Sequence, residues 1–179
     1  MRLDRSSVWS KRDVELFLLT PDHVTDAYVR WLNDPKVNAY LESRFVEHTH
    51  NSTRDFVQAC LDDDKTLFLG IRSKQFESRH VGNIKLGPID KIHGLGEVGI
   101  LVGDSAVWGH GIGCDAILLL SEIAKDQLYL RKLTAGCYGA NVASRKVFEK
   151  AGFEVECERK DHFVLEPGLD SLILMCKWL

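Results

Sequence analysis

Half of the 14 glycines in this 179-residue chain fall in one short stretch. They are Gly94, Gly96, Gly99, Gly103, Gly109, Gly111 and Gly113. Residues 96–103 read as a strand with Val98, Ile100 and Val102 on one face. Trp108-Gly109-His110-Gly111-Ile112-Gly113 then leads into a helix over 111–128. That helix is the most strongly periodic segment of the chain, with Ile112, Ala116, Leu119, Leu120, Ile123 and Ala124 on one side. Glycine tolerates positive φ and lets backbone N–H groups approach a ligand without a Cβ in the way. The first turn of a helix adds unpaired N–H donors and the positive end of its dipole. A strand, a glycine turn and a helix in this order make an anion cradle, most naturally for a pyrophosphate. A tight turn that binds nothing is the alternative.

The other segments fit around this unit. Residues 14–19 read as a strand that stops at Thr20-Pro21. Asp22 can cap a helix whose apolar face is Val24, Ala27, Tyr28, Trp31 and Leu32. Asn33-Asp34-Pro35 breaks that helix and starts a short second one through Val37 and Leu41. Residues 52–61, with Ser52 as cap, read as a helix presenting Phe56, Val57, Cys60 and Leu61. Strands follow over 66–71 and 80–86, joined by a polar turn, and another spans 132–138. A helix over 141–151 ends at Gly152, where a left-handed stop needs no Cβ. Residues 153–164 and 171–178 close the chain as two strands. The order is α+β, in one domain over 1–179, since no repeat or linker interrupts it.

Composition excludes several classes. Charged residues make up 27% and hydrophobic residues 45%, so the chain is globular, not disordered. A net charge of −3 and a pI near 6.2 argue against nucleic-acid or membrane-surface partners. The five cysteines are widely spaced, with no metal-ligand or disulfide spacing, which points to reduced thiols in the cytoplasm. His48-Thr49-His50 lacks a third nearby ligand, so no metal is expected. Met1 to Arg5 is followed by no apolar segment of the kind a leader requires.

Two phosphate-binding patterns fail at named positions. Gly113 is followed by Cys114-Asp115, where a nucleotide-binding P-loop requires Lys and Ser or Thr. A dinucleotide fingerprint needs its third glycine one residue later and an acid ending the next strand, and 133–137 has none. By contrast, the segments Glu97-Val98-Gly99-Ile100-Leu101-Val102 and Trp108-Gly109-His110-Gly111-Ile112-Gly113-Cys114-Asp115-Ala116 resemble a known signature. It is the acyl-CoA pyrophosphate motif of GCN5-related N-acetyltransferases (GNAT). The run from Asn141 to Phe153 resembles that family's second CoA-contacting segment. Trp108-Gly109-x-Gly111 and Trp31-Leu32-Asn33-Asp34-Pro35 are similar to the branch that includes ribosomal-protein N-terminal alanine acetyltransferases.

The resemblance implies a mixed, mostly antiparallel central sheet flanked by helices, with a splayed pair of strands forming the acyl-CoA cleft. It implies that Ile100, Leu101 and Val102 pair with the pantetheine arm of acetyl-CoA as an added strand would. The N–H groups of Gly109, His110, Gly111, Ile112, Gly113 and Cys114 would hold the pyrophosphate. Asn141 and Ser144 would meet the pantetheine, Asn141 also capping its helix. Arg145 would face the adenosine phosphate or remain a solvated helix charge, and Phe148 completes the cofactor-binding set. The implied activity is direct acetyl transfer to the primary amine of a small metabolite or amino sugar. A protein N-terminus and a non-catalytic acyl-CoA-binding module are the alternatives.

Acetyl transfer needs a neutral amine, a polarised thioester and a proton for the thiolate. Glu97 is the candidate base, with a solvent-facing strand residue as its alternative, and a strand N–H would hold the thioester oxygen. Phe148 stands where many family members carry an acidic Tyr, which leaves Ser144, Tyr138 or water to protonate the thiolate. Cys114, at a helix N-terminus, is expected to have a lowered pKa, so an acetyl-cysteine route is conceivable. Asn38, Tyr40, Glu42, Arg44 and Phe45 occupy the segment that the family uses for acceptors. Of these, Tyr40, Arg44 and Phe45 are taken as substrate-binding, Arg44 toward a phosphate or carboxylate. A homodimer through the late strands is compatible with the pattern.

Overall fold

The computed structural model describes residues 7–166 and 168–179. The Met1 to Arg5 stretch, considered for a leader, lies outside these residues. One eight-stranded sheet runs in the order β1-β2-β3-β4-β5-β6-β8-β7. Its strands are β1 (Val8–Lys11), β2 (Val14–Leu18), β3 (Leu67–Ser73), β4 (Arg79–Asp90), β5 (Leu95–Val102), β6 (Lys132–Tyr138), β7 (Glu154–Leu165) and β8 (Gly168–Trp178). Every neighbouring pair is antiparallel except β5 and β6. The helices are α1 (Asp26–Asn33), α2 (Pro35–Asn38), α3 (His50–Asp62), α4 (Ile112–Asp126) and α5 (Val142–Lys150). The mixed, mostly antiparallel sheet with flanking helices is the fold that the sequence implied.

Two cores lie on opposite faces of the sheet. Ile84, Leu86, Val98, Leu133 and Ala135 meet α4 through Ile112, Ala116, Ile117, Leu120 and Ile123. Truncating a fully buried side chain such as Leu120 to Ala costs about 2–5 kcal/mol, because apolar contact is lost and a cavity opens. The smaller core joins Phe17, Leu19 and Phe68 to Val24 and Tyr28 around α1 and to Val57 and Cys60 of α3.

The helix starts differ from the sequence reading. Thr25, not Asp22, caps α1 by accepting the Tyr28 N–H, while Asp22 sits in a 3-10 turn over Pro21–His23. Thr49, not Ser52, caps α3, and Ser52 answers as the third residue of a capping box. Both shifts have one cause: several hydroxyl and carboxyl residues precede each apolar run, and only geometry selects among them. Asp34 caps α2, which ends at Asn38, short of Leu41. Phe56 is exposed on α3 and meets Phe68 edge-on, while Thr53 turns inward with Val57 and Cys60. Strand β1 carries no legible pattern, being four residues at the sheet edge with alternate side chains open to solvent.

Candidate active site

Strands β5 and β6 touch only at their beginnings. Leu95 pairs with Lys132, Gly96 with Leu133 and Glu97 with Thr134, and there the ladder stops. On its other side β5 stays paired with β4 as far as Val102, opposite Gly82. Likewise β6 stays paired with β8 as far as Tyr138, opposite Leu172. The sheet therefore splits into a V with Glu97 and Thr134 at its apex. Beyond the apex, the edge of β5 that faces β6 offers backbone groups with no strand partner, as an added strand requires.

The glycine turn lies where β5 ends. Asp104 caps a 3-10 turn over Ser105–Val107, and Trp108 Nε1 donates to the Val102 carbonyl at 2.8 Å. Gly109 and Gly111 then adopt φ of +83° and +80°, with Gly111 as the N-cap of α4. A Cβ at either position would have no heavy atom beyond the adjoining residues within 4 Å, so the Cβ side of both residues is open. Among the described residues, no carbonyl accepts the N–H groups of Gly109 to Cys114, and the first such bond of α4 is Asp115 N–H to Gly111 O. An anionic group fits such a cradle of bare donors and open space. Gly113 serves packing instead. A Cβ there would lie 3.3 Å from Val147 Cγ1, which lets α5 lean on the first turn of α4.

The second segment presents a mixed outcome. Asn141 caps α5, its Oδ1 accepting the Ser144 N–H at 3.1 Å, which is half of its expected double role. Ser144 is half-buried. Arg145 pairs with Glu149 at 2.9 Å on the exposed face of α5. Phe148 is only 2% exposed and packs edge-on against Phe153. It offers no surface to a ligand, so its expected place in the cofactor site is corrected to a core role. Cys114 also departs from expectation. Burial, and then the adjacent Asp115, raise its thiol pKa above the usual value, against the opposing pull of Arg12, Lys150 and Lys177.

Strand alternation puts Glu97, Thr134 and Tyr138 on one face of the sheet, opposite α4. Glu97 is exposed at the apex. Tyr138 ends β6 with its ring stacked on Phe163 at 3.8 Å, and its hydroxyl donates to Glu42. Burial, then the Glu42 bond, hold this phenol above its usual pKa. Arg44 Nη1 donates to the Tyr138 hydroxyl at 2.9 Å, and Tyr40 Oη donates to the Ala140 carbonyl at 3.3 Å. The expected acceptor residues Tyr40 and Arg44 thus converge on the end of β6, while Phe45 is 71% exposed beside them. His48 and His50 go to separate partners, the Ser43 carbonyl and Asp26. Sequence reasoning missed Phe163, which is 25 positions from Tyr138 on a strand with two register shifts that blur its alternation.

A sheet split along its one parallel pair, with a glycine cradle where the strand meets the helix, defines an acyl-CoA-type transferase architecture. The sequence matches the acetyltransferase (GNAT) domain family over residues 13–154. The chain therefore belongs to the GNAT acetyltransferase family and is an N-acetyltransferase. It is 24% identical over 166 residues to alpha/beta-tubulin-N-acetyltransferase 9 of Homo sapiens, covering 86% of this chain and 78% of the relative. Among solved structures, RimL, a ribosomal alpha-N-protein acetyltransferase in complex with coenzyme A, superposes with a TM-score of 0.84. It is 18% identical, with 97% of this chain and 98% of that one covered. The microcin self-immunity acetyltransferase MccE, in complex with acetyl-CoA and AMP, gives a TM-score of 0.80 at 18% identity, covering 94% of each chain. Spermidine N-acetyltransferase from Vibrio cholerae, in complex with CoA and spermine, gives 0.76 at 17% identity. That likeness covers 93% of this chain and 95% of that one. Among the described residues, no helix is long and apolar enough to cross a membrane.

Proposed function

We propose that residues 1–179 act as one domain that transfers an acetyl group from acetyl-CoA to a primary amine by direct attack. The observation that carries this reading is the V opened beyond Glu97 together with the open, donor-lined turn at 109–114. The N–H groups of Gly109 to Cys114 would hold the pyrophosphate, and Ile100 to Val102 the pantetheine, with Asn141 and Ser144 on the opposite wall. Bound acetyl-CoA supplies the thioester carbon that the amine attacks.

Glu97, directly or through a water, takes the proton that the amine loses as its C–N bond forms. A backbone N–H of β5 holds the carbonyl oxygen as the C–S bond breaks. The departing sulfur needs a proton, for which Ser144 and water remain the available donors. Tyr138 is a poorer one, since its hydroxyl proton is held by Glu42 and its pKa is raised. A small amine such as an amino sugar is the first acceptor class. A polypeptide N-terminus is the second, supported by Phe45 and Val46 exposed on one rim and Val164 and Leu169 exposed on the β7–β8 hairpin. The likeness to RimL, a ribosomal alpha-N-protein acetyltransferase, supports it too. The five cysteines are free thiols, which supports a reducing, cytoplasmic setting.

The decisive experiment measures coenzyme binding and acetylation of a panel of amino sugars, polyamines and N-terminal peptides, detected by mass. Acetylated product with loss of turnover in Glu97→Gln supports the reading. Tight coenzyme binding with no acetylated amine leaves a binding module instead.

A further inference from the structure

One phenol joins the acceptor loop to the cofactor side of the cleft. Tyr138 Oη donates to Glu42 Oε1 and accepts from Arg44 Nη1 at 2.9 Å. The same Arg44 nitrogen donates to the Leu41 carbonyl at 2.9 Å, which fixes the guanidinium to its own turn. Arg44 is 13% exposed in its side chain, and its guanidinium lies 4.1 Å from the centroid of the Phe45 ring. The ring of Tyr138 is stacked on Phe163 with an interplanar angle of 15°. The phenol is therefore gripped by the loop and by β7 together.

The turn between Tyr138 and α5 is held just as closely. The Tyr138 carbonyl accepts the Asn141 N–H at 3.0 Å, and Asn141 caps α5. The Ala140 N–H donates to Asp170 Oδ2 at 3.0 Å, and the Ala140 carbonyl accepts from Tyr40. Past the apex β6 has no β5 partner, so β8 and the loop are what hold its end. Burial and the Glu42 bond keep the phenol protonated at neutral pH, as a donor must be.

We propose that Arg44 and Glu42 are positioning residues for the coenzyme. By clasping Tyr138 they fix the β6–α5 junction, so that affinity for acetyl-CoA is set partly from the acceptor loop. This rests on the reading that Asn141 and Ser144 meet the pantetheine. The physical basis is preorganisation: a junction already ordered in the free enzyme does not have to be ordered when the ligand arrives.

The test is calorimetric titration of CoA into the full chain, with steady-state kinetics on the same variants. Tyr138→Phe deletes the clasped hydroxyl and keeps the ring, and Arg44→Met removes its cationic partner. Each weakens CoA binding by about three- to tenfold, the size expected from one lost hydrogen bond. The double variant is no weaker than the worse single one, because both break the same contact. Glu42→Gln retains an acceptor oxygen and binds within about twofold of the unaltered enzyme, whereas Glu42→Ala does not. The loss appears in the KM for acetyl-CoA as well as in the Kd for CoA. If Arg44→Met fails to fold, Tyr138→Phe and the two Glu42 variants decide the matter. Unchanged CoA affinity in folded Tyr138→Phe, or a fall in kcat alone, overturns the clasp and in the second case makes Tyr138 the proton donor. Failure of the unaltered enzyme to bind CoA overturns the cradle reading and the clasp with it.

Discussion

The indole of Trp31 lies directly against the backbone of Gly103. A Cβ at Gly103 would stand 2.2 Å from Trp31 Cδ2 and 2.4 Å from Cγ, closer than any packing allows. Trp31 in turn meets His80 edge-on at 5.3 Å and Tyr28 at 6.0 Å. Through this contact α1 is seated on the residue after β5, at the entrance to the glycine turn. Gly103→Ala forces the helix away from the sheet and costs about 1–3 kcal/mol of stability. Chemical denaturation reads this loss, and a wild-type midpoint in the variant would refute it.

The open turn predicts a different pattern. Gly111 has positive φ but free space around its Cβ position, so Gly111→Ala strains the backbone by about 1–2 kcal/mol without a steric clash inside the protein. Coenzyme affinity falls by at least about tenfold, equivalent to 1.4 kcal/mol, because a methyl group enters the space proposed for the anion. Titration calorimetry and thermal melts on one sample separate the two effects.

Glu97→Gln preserves the shape of the apex and removes the proposed base. Turnover falls by about a hundredfold or more, with CoA affinity unchanged. Steady-state kinetics and CoA titration on the same sample read the two quantities, and turnover in Glu97→Gln equal to that of the unaltered enzyme would remove Glu97 from the proton path.

His80 makes stability depend on pH. Burial among Phe17, Tyr28 and Trp31 holds its pKa below the ordinary value of 6.5, against the pull of its bonds to Asn83 and Gly82. His23 and Arg72 also lower it. Below pH 6.5 the unfolded chain therefore binds a proton that the folded chain refuses. Stability is full above that pH and declines as the pH falls toward the folded value. Denaturation midpoints across this range are steeper for the unaltered protein than for His80→Gln.

Cys114 should behave as a quiet thiol. With its pKa raised by burial and Asp115, little thiolate exists at neutral pH. Cys114→Ser retains activity within about twofold, as direct transfer requires, and alkylation of this thiol is slow until alkaline pH. Loss of turnover in Cys114→Ser with coenzyme binding intact would revive the covalent route.

The elements with strong local signals are legible in the residues alone. The 132–138 strand and the Gly152 stop, at φ +89°, stand where the pattern puts them. The α4 helix begins one residue later than read, because Gly111 is its left-handed cap. Helix caps are harder: Thr25 and Thr49 compete locally with equally suitable neighbours, and the winner depends on the angle at which the chain enters the helix. Phe148 misleads because its motif position suggests a ligand contact, while its neighbour Phe153 draws it into the core.

Period, glycine placement and motif order thus determined the strand–turn–helix cradle by themselves, because backbone conformation near a glycine is a local property. Tertiary structure alone decided that β5 and β6 separate after three residue pairs. It alone decided that Trp31 rests on Gly103 and that Glu42 and Arg44 meet the phenol of Tyr138. Those contacts join positions some 70 to 100 residues apart. No period or spacing encodes such a meeting, which arises only when the packed faces of helix and sheet bring the two segments together.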